Sequence, residues 1–160
     1  MTNIYIETSI PSFYFTERSS IEATARKNWT RQWLKEYSSQ FTLFTSTAVM
    51  SELLRGNSQS TKDRVNLIKE LELLQITDEV EEITAVYIEK KVMPNDPAGD
   101  ALHLAMASFH KIDVLITWNC RHIANPNKFN HIRIINYELG LPIPMLLTPL
   151  NYLDGEENND

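Results

Sequence analysis

Short apolar segments that resemble β-strands alternate with longer segments of helical periodicity, and this alternation constrains the fold most strongly. The segment Val114, Leu115 and Ile116 is continuously apolar, as in strands that are buried on both faces. Strands that alternate with helices favour a three-layer α/β/α domain with a mainly parallel central sheet. The predicted strands cover residues 1–6, 41–45, 73–76, 114–116 and 145–148.

Capping residues and glycines indicate where the helices between these strands begin and end. Asp96 followed by Pro97 is a helix start signal, which places Asp100 about one turn into its helix. A helix capped by Ser19 or Ser20 is expected to run to about residue 37. The other predicted helices cover residues 47–54, 60–71, 78–92 and 126–139, the Asp96 helix continues to about residue 110, and residues 11–16 are predicted as a loop or turn.

The length and composition fit a single domain of ordinary size. The chain has 160 residues, of which 42% are hydrophobic and 22% charged, so it can form a real core. We expect this domain to span residues 1–150, followed by an acidic, frayed tail over residues 151–160. Cys120 is the single cysteine, which excludes an internal disulfide bond.

The net charge and the hydropathy pattern restrict the possible classes of function. The formal net charge of -6 argues against a module that binds nucleic acid by broad electrostatic attraction. It argues less against a metal-dependent nuclease, because acids clustered at an active site contribute to the deficit. No apolar run approaches the ~20 residues of a transmembrane helix, and the N-terminus lacks a secretory pattern. We therefore expect a cytoplasmic protein with no membrane partner.

Three acids lie where predicted strands meet predicted helices. Glu7 follows the first strand, Glu52 lies on the helix after the second strand, and Asp100 opens an almost wholly apolar helical run. The carboxyl ends of parallel strands form the binding edge of such a sheet. Acids that converge there repel one another unless a cation lies between them. Hard divalent ions prefer oxygen ligands, so this pattern indicates Mg²⁺ or Mn²⁺ and phosphodiester chemistry.

Each of these residues also has a simpler interpretation. Glu7 fits an exposed strand-end turn equally well, and Glu52 alone is more simply a solvated helix acid paired with Arg55. For Asp100 the functional interpretation is favoured, because an acid at the start of a buried helix needs backbone amides or a metal. His103, one turn after Asp100, fits a core or hydrogen-bonding histidine better than a ligand or base.

Asn119 is the fourth candidate, because it follows the predicted strand 114–116. Its amide oxygen can coordinate a metal or a metal-bound water, although it brings no charge. Arg121 and His122 either contact a phosphate or are exposed loop residues. Asp96 either adds a water-mediated metal contact or simply caps the helix, and the capping role is sufficient by itself.

Taken together, four segments resemble the PIN-domain family, most closely the VapC-type toxin ribonucleases of toxin–antitoxin systems. Family members typically carry aspartate where Glu7 stands, and an aspartate often stands at the position of Asn119. Glu52 and Asp100 match the family pattern directly. The matching segments are Tyr5-Ile6-Glu7-Thr8-Ser9, Ser51-Glu52-Leu53-Leu54-Arg55-Gly56, Gly99-Asp100-Ala101-Leu102-His103-Leu104-Ala105 and Leu115-Ile116-Thr117-Trp118-Asn119.

The resemblance implies an endoribonuclease in which Glu7, Glu52 and Asp100 hold Mg²⁺ or Mn²⁺, with Asn119 as a further catalytic residue. It also implies an antitoxin partner and a homodimer. The alternative is a PIN-like RNA-binding or regulatory module that is catalytically weak or inactive. Thr8, Ser9 and Thr117 are expected to orient the carboxylates by hydrogen bonds. The densest basic stretch is either the RNA-binding edge or a solvated helix face, and it comprises Arg18, Arg26, Lys27 and Arg31.

Overall fold

The computed structural model describes residues 1–56, 59–93 and 99–153. Five parallel strands form one sheet in the order β3-β2-β1-β4-β5, with helices connecting them. This confirms the predicted α/β architecture with a parallel central sheet. The strands are β1 Asn3–Ile6, β2 Thr42–Ser46, β3 Glu72–Leu74, β4 Val114–Ile116 and β5 Met145–Leu147.

Helices account for most of the remaining described chain. Side-chain oxygens of Ser20, Ser46, Thr77 and Asn125 accept hydrogen bonds from backbone N–H groups in the first turn of α2, α3, α5 and α7, so these helices begin at strong caps. The helices are α1 Ser9–Tyr14, α2 Ile21–Tyr37, α3 Thr47–Leu54, α4 Gln59–Ile68, α5 Asp78–Glu89, α6 Asp100–Phe109, α7 Pro126–Glu138 and α8 Leu150–Leu153.

Two predictions about helix starts are wrong. Residues 11–16, predicted as a loop or turn, belong largely to α1, because Pro11 lies in the first turn, where a backbone N–H has no intrahelical partner. Helix α6 begins at Asp100 with Gly99 as its N-cap, so Asp100 is the first helical residue and does not lie one turn inside. Asp96 and its predicted cap lie outside the described residues.

The ends of the other elements differ from the predictions by a few residues. Helix α5 ends at Glu89 and not near residue 92, because Lys91 adopts a positive φ of 58° that a helix cannot continue. Helix α4 ends at Ile68, before the predicted residue 71. At the C-terminal end, residues 151–153 form part of α8, and the rest of the predicted tail lies outside the described residues.

Strands β1 and β4 of the sheet are buried along nearly their whole length. Ile4, Tyr5 and Ile6 of β1 and Leu115 and Ile116 of β4 are each at most 1% exposed. Strand β1 pairs with β2 on one side and with β4 on the other, so the chain connections run in opposite directions on either side of it. This arrangement leaves a crevice at the carboxyl ends of β1 and β4, the position where sites form in such sheets. Within the described ranges, no helix is both long and apolar enough to cross a membrane.

Candidate active site

The crevice beside β1 collects the three predicted acids and Asn119 from four separate parts of the chain. Glu7 directly follows β1 and its backbone N–H donates to the carbonyl of Ile116 at 3.3 Å, which ties the ends of β1 and β4 together. Glu52 comes from α3, after β2, and Asp100 is the first residue of α6. Asn119 lies three residues beyond β4. Topology therefore explains why residues so far apart in sequence meet at this edge.

Glu7 is a buried acid and not an exposed turn residue. Glu7 is only 5% exposed, and its Oε2 accepts a 2.7 Å hydrogen bond from the backbone N–H of Ser9. Burial raises the pKa of Glu7, and the charge of His103 and the bonds from Ser9 offset only part of that effect. The negative charge of Glu52 raises the pKa of Glu7 further.

Glu52 differs because a histidine side chain is its hydrogen-bond partner. His103 Nε2 and Glu52 Oε1 are 2.7 Å apart. Partial burial by itself would raise the pKa of Glu52, but the hydrogen bond and charge of His103, with Thr8 and Arg55, bring it below its ordinary value. The simple interpretation of Glu52 as a solvated acid is therefore wrong, since it forms half of a largely buried ion pair.

His103 lies at the centre of the site, with 1% of its surface exposed. Burial alone would lower its pKa, but the bond to Glu52 and the charges of Glu7, Glu52 and Asp100 raise it. Its Nδ1 lies 2.7 Å from the hydroxyl oxygen of Tyr5, which in turn lies 2.7 Å from Ser46 Oγ. His103 is thus the buried, hydrogen-bonded histidine that the sequence favoured, and it also contacts a candidate acid.

Tyr5 is a site residue that the sequence analysis did not identify. Its side chain is fully buried, and desolvation raises its pKa far above the ordinary value, so it acts as a neutral phenol. A signal was present in the sequence, because residues i and i+2 of a strand share a face and Tyr5 is two residues before Glu7. Alternation along β1 could therefore have placed Tyr5 beside the acids.

Asn119 orients Asp100. Its Nδ2 donates a 2.7 Å hydrogen bond to Asp100 Oδ1, and its Oδ1 accepts a 3.0 Å bond from the backbone N–H of His122. The His122 N–H can only donate, so the atom of the Asn119 side chain that faces it must be the oxygen. The Asn119 oxygen is therefore directed away from Asp100. Burial raises the pKa of Asp100, while the charges of His122 and His103 and the Asn119 bond partly oppose this.

The three predicted hydroxyl residues form hydrogen-bond contacts beside these acids. Thr8 Oγ1 lies 3.4 Å from His103 Nε2. Ser9 Oγ accepts a 2.7 Å bond from the backbone N–H of Trp118 and lies 3.3 Å from Thr117 Oγ1. Thr117 Oγ1 also accepts a 2.9 Å bond from the backbone N–H of Asn119. These contacts fix the backbone from which Glu7 and Asn119 project.

The predicted basic residues divide into two groups. Arg26 packs over the rings of Phe13 and Trp118, at 5.3 and 5.2 Å from their centroids, and its Nη2 forms a 3.2 Å ion pair with Glu22. Arg31 donates from Nε to the carbonyl of Tyr14 at 3.0 Å. Both guanidinium groups therefore already have partners within the fold. Arg18 and Arg121 are exposed, and Lys27 and His122 are partly buried.

The donor chemistry of the crevice suits a hard divalent cation. Glu7, Glu52 and Asp100 offer only oxygen, and one oxygen of each is oriented by a neighbouring N–H donor. Among residues 1–56, 59–93 and 99–153, no three acid, histidine or cysteine side chains converge closely enough to ligate one ion together. Mg²⁺ commonly takes one or two protein carboxylates and keeps several waters, so this spacing is compatible with a hydrated ion.

Comparisons with known proteins agree with this fold. The family model described as "PIN domain" matches residues 4–124. The comparison with curated proteins gives no match.

Three solved structures illustrate the likeness in fold. VapBC2 from Rickettsia felis, bound to a DNA fragment from its promoter, has 15% identity and a TM-score of 0.59, covering 92% of this chain and 98% of that chain. VapC20 from Mycobacterium tuberculosis, a Sarcin-Ricin loop cleaving toxin, has 14% identity and a TM-score of 0.55, covering 70% of this chain and 86% of that chain. A toxin–antitoxin complex from Klebsiella pneumoniae has 20% identity and a TM-score of 0.55, covering 78% of this chain and 93% of that chain.

Proposed function

Because the chain belongs to the PIN domain family, we propose that it is a divalent-metal-dependent endoribonuclease and the toxin of a toxin–antitoxin pair. The observation that carries this proposal is the meeting of Glu7, Glu52 and Asp100 around His103 at the carboxyl ends of β1 and β4. Support for the RNA substrate comes from the similar fold of a Sarcin-Ricin loop cleaving toxin, and support for an antitoxin comes from the toxin–antitoxin complex of similar fold.

The charge balance of the site supports a divalent cation. When ionised, Glu7, Glu52 and Asp100 carry three negative charges, and His103 in its protonated form supplies one positive charge. Two negative charges then remain in a partly buried crevice, which is unfavourable without a counter-ion. We propose Mg²⁺ or Mn²⁺, held by Glu7 and Asp100 together with Glu52, directly or through water.

In this proposal, neighbouring groups of the chain orient each of the three carboxylates. His103 holds Glu52 in a fixed orientation, Asn119 holds Asp100, and the Ser9 backbone N–H holds Glu7, so the carboxylates need little reorganisation when a substrate arrives. A bound ion would polarise the scissile phosphate and lower the pKa of a coordinated water. The buried network from His103 through Tyr5 to Ser46 keeps the back of the site dry.

The experiment that tests this proposal is cleavage of RNA by the purified protein with Mn²⁺ or Mg²⁺. We expect cleavage that stops with EDTA, and a fall of about a hundredfold or more in Glu52→Gln and Asp100→Asn, since each removes charge from the site. Both variants should keep the wild-type circular dichroism spectrum. Unchanged activity in these variants would attribute the cleavage to a contaminating nuclease.

The second candidate is a PIN-like RNA-binding or regulatory module that does not cleave. Two observations favour it: the Asn119 Oδ1 is used by the His122 N–H, and no triple ligand set converges in the described part of the chain. This candidate predicts RNA binding without cleavage at any divalent-ion concentration, so the same assay separates the two. A homodimer and a cytoplasmic location belong to the proposal as well, and sedimentation analysis would test the former.

A further inference from the structure

A polar cleft outside the acid site lies between the segment that follows α1 and helix α4. Its volume is about 490 Å³, and its wall contains two arginines, two hydroxyl residues and one acid. The lining residues are Thr16, Glu17, Arg18, Ser60 and Arg64. None of them takes part in the acid site described above.

The two arginines of this cleft have positive charge that the described chain does not neutralise. The ion pairs among the described residues are Arg26–Glu22 and His103–Glu52, so neither Arg18 nor Arg64 is paired with a carboxylate there. The Nε atom of Arg64 is buried and has no hydrogen-bond partner within the described residues. A buried donor without a partner is unfavourable, and the arginine that carries it lines the cleft.

The other lining groups suit an oxyanion of modest size. The Ser60 hydroxyl donates weakly to Glu17 Oε1 at 3.5 Å, so the one acid of the cleft is directed to a hydroxyl and not to a guanidinium. The exposed Arg18 lies over the Phe13 ring, 5.1 Å from its centroid, which restricts its position. Guanidinium groups match phosphate oxygens in charge and in the geometry of their N–H donors.

Helix α1 connects the acid site to the cleft. Helix α1 begins at Ser9, whose backbone N–H binds Glu7, and Thr16 follows its last turn. A helix of this length measures about 9 Å. The partners already found for Arg26 and Arg31 leave Arg18 and Arg64 as better candidates for contacts with a polyanion on this side.

We propose that this cleft binds a backbone phosphate of the RNA, away from the phosphate that is cleaved, with Arg18 and Arg64 as its main contacts. The proposal rests on the proposed function, because it takes RNA as the ligand. It extends that function by naming a second contact site, and it assigns a role to Arg64, which no sequence motif indicated.

The test is the affinity for a short fluorescent single-stranded RNA, measured by anisotropy in EDTA over a salt series so that cleavage is not needed. Arg64→Gln and Arg18→Gln should each weaken binding about tenfold and reduce the salt dependence of log K by about 0.7. Lys62→Gln is the matched control, because Lys62 is an exposed cation on the same helix outside the cleft. It should change the affinity less than about twofold.

Four outcomes would overturn the proposal. They are no RNA binding by the wild type, RNA affinity that is insensitive to both arginine variants, equal effects of Arg64→Gln and Lys62→Gln, and weaker binding with an unchanged salt slope. If Arg64→Gln fails to fold, Arg18→Gln decides, since its side chain is exposed. RNA binding that depends on the arginines but is never followed by cleavage would contradict the ribonuclease while the cleft proposal stands.

Discussion

Glu52 and Glu7 are two glutamates of one site whose environments have opposite effects on their charge. Glu52 is paired with a buried histidine, and its pKa is lowered. Among the described residues, Glu7 is not hydrogen-bonded to a cation; burial raises its pKa, and the charge of His103 and the Ser9 N–H offset only part of that effect. Asp100 resembles Glu7, since a neutral amide holds it and burial raises its pKa. The difference teaches that the fold neutralises one acid internally and leaves two that gain from an added cation.

The largest predicted effect comes from removing the internal partner of Glu52. His103→Ala should lower the free energy of unfolding by about 3 kcal/mol, because it leaves Glu52 partly buried without its partner and removes one of the two hydrogen-bond partners of the Tyr5 hydroxyl. Urea denaturation in EDTA measures this. His131→Ala on the exposed face of α7 is the control and should change little. Similar losses of stability in both variants would mean that the His103–Glu52 pair makes no specific contribution to the free energy of unfolding.

A smaller effect is expected when a fourth acid is introduced. Asn119→Asp replaces the amide that donates to Asp100 with a carboxylate at the same distance, so the metal-free protein should lose about 2 kcal/mol of stability. Mn²⁺ should restore more stability in this variant than in the wild type, because the added charge strengthens ion binding. Thermal melts with and without Mn²⁺ test both parts. Greater stability of Asn119→Asp in EDTA would contradict the account.

The smallest effect has the opposite sign. Glu7→Gln should stabilise the metal-free protein by about 1 kcal/mol at neutral pH, since it removes a buried charge and keeps an acceptor for the Ser9 N–H. Because the pKa of Glu7 is raised in the folded state, ionised Glu7 lowers the stability of the protein at high pH. At low pH Glu7 is protonated in both the folded and the unfolded state, and this loss of stability is absent. The gain should therefore disappear as the pH falls below the unfolded-state pKa of about 4.3.

Glu52→Gln serves as the contrast in the same pH series. Its pKa is lowered in the folded state, so its ionised form contributes stability above the unfolded-state pKa, and this contribution is lost as the pH falls through the folded-state value. Glu52→Gln should thus destabilise the protein at neutral pH, where Glu7→Gln stabilises it. The same sign for both substitutions would remove the distinction between the two glutamates.

The sequence predicted the sheet well because its signals are local. Apolar runs such as Val114–Ile116 and capping residues such as Ser20 and Ser46 act within a few positions. The same logic located Glu7, Glu52 and Asp100 at element boundaries. It failed for α1, where Pro11 indicated a loop although proline is compatible with the first turn of a helix.

The parts of the site that depend on distant pairs were not predictable in this way. His103 contacts a residue 51 positions earlier, and Tyr5 contacts His103 across 98 positions. The sequence shows that the Asn119 amide oxygen can coordinate a metal or a metal-bound water, but it does not show that this oxygen bonds to the His122 N–H while the amide nitrogen faces Asp100. Such orientations follow from tertiary packing between residues far apart in the chain, and local sequence patterns do not predict them.

The most direct test of the central claim is calorimetric titration of Mn²⁺ into the wild type and into the Glu7→Gln/Asp100→Asn double variant. The account predicts that one ion binds to the wild type at millimolar concentration or below, and that the double variant, with Glu52 still paired to His103, loses this binding. Equal Mn²⁺ binding in the two proteins, or none in the wild type, would contradict a metal site built on the acids that the fold leaves uncompensated.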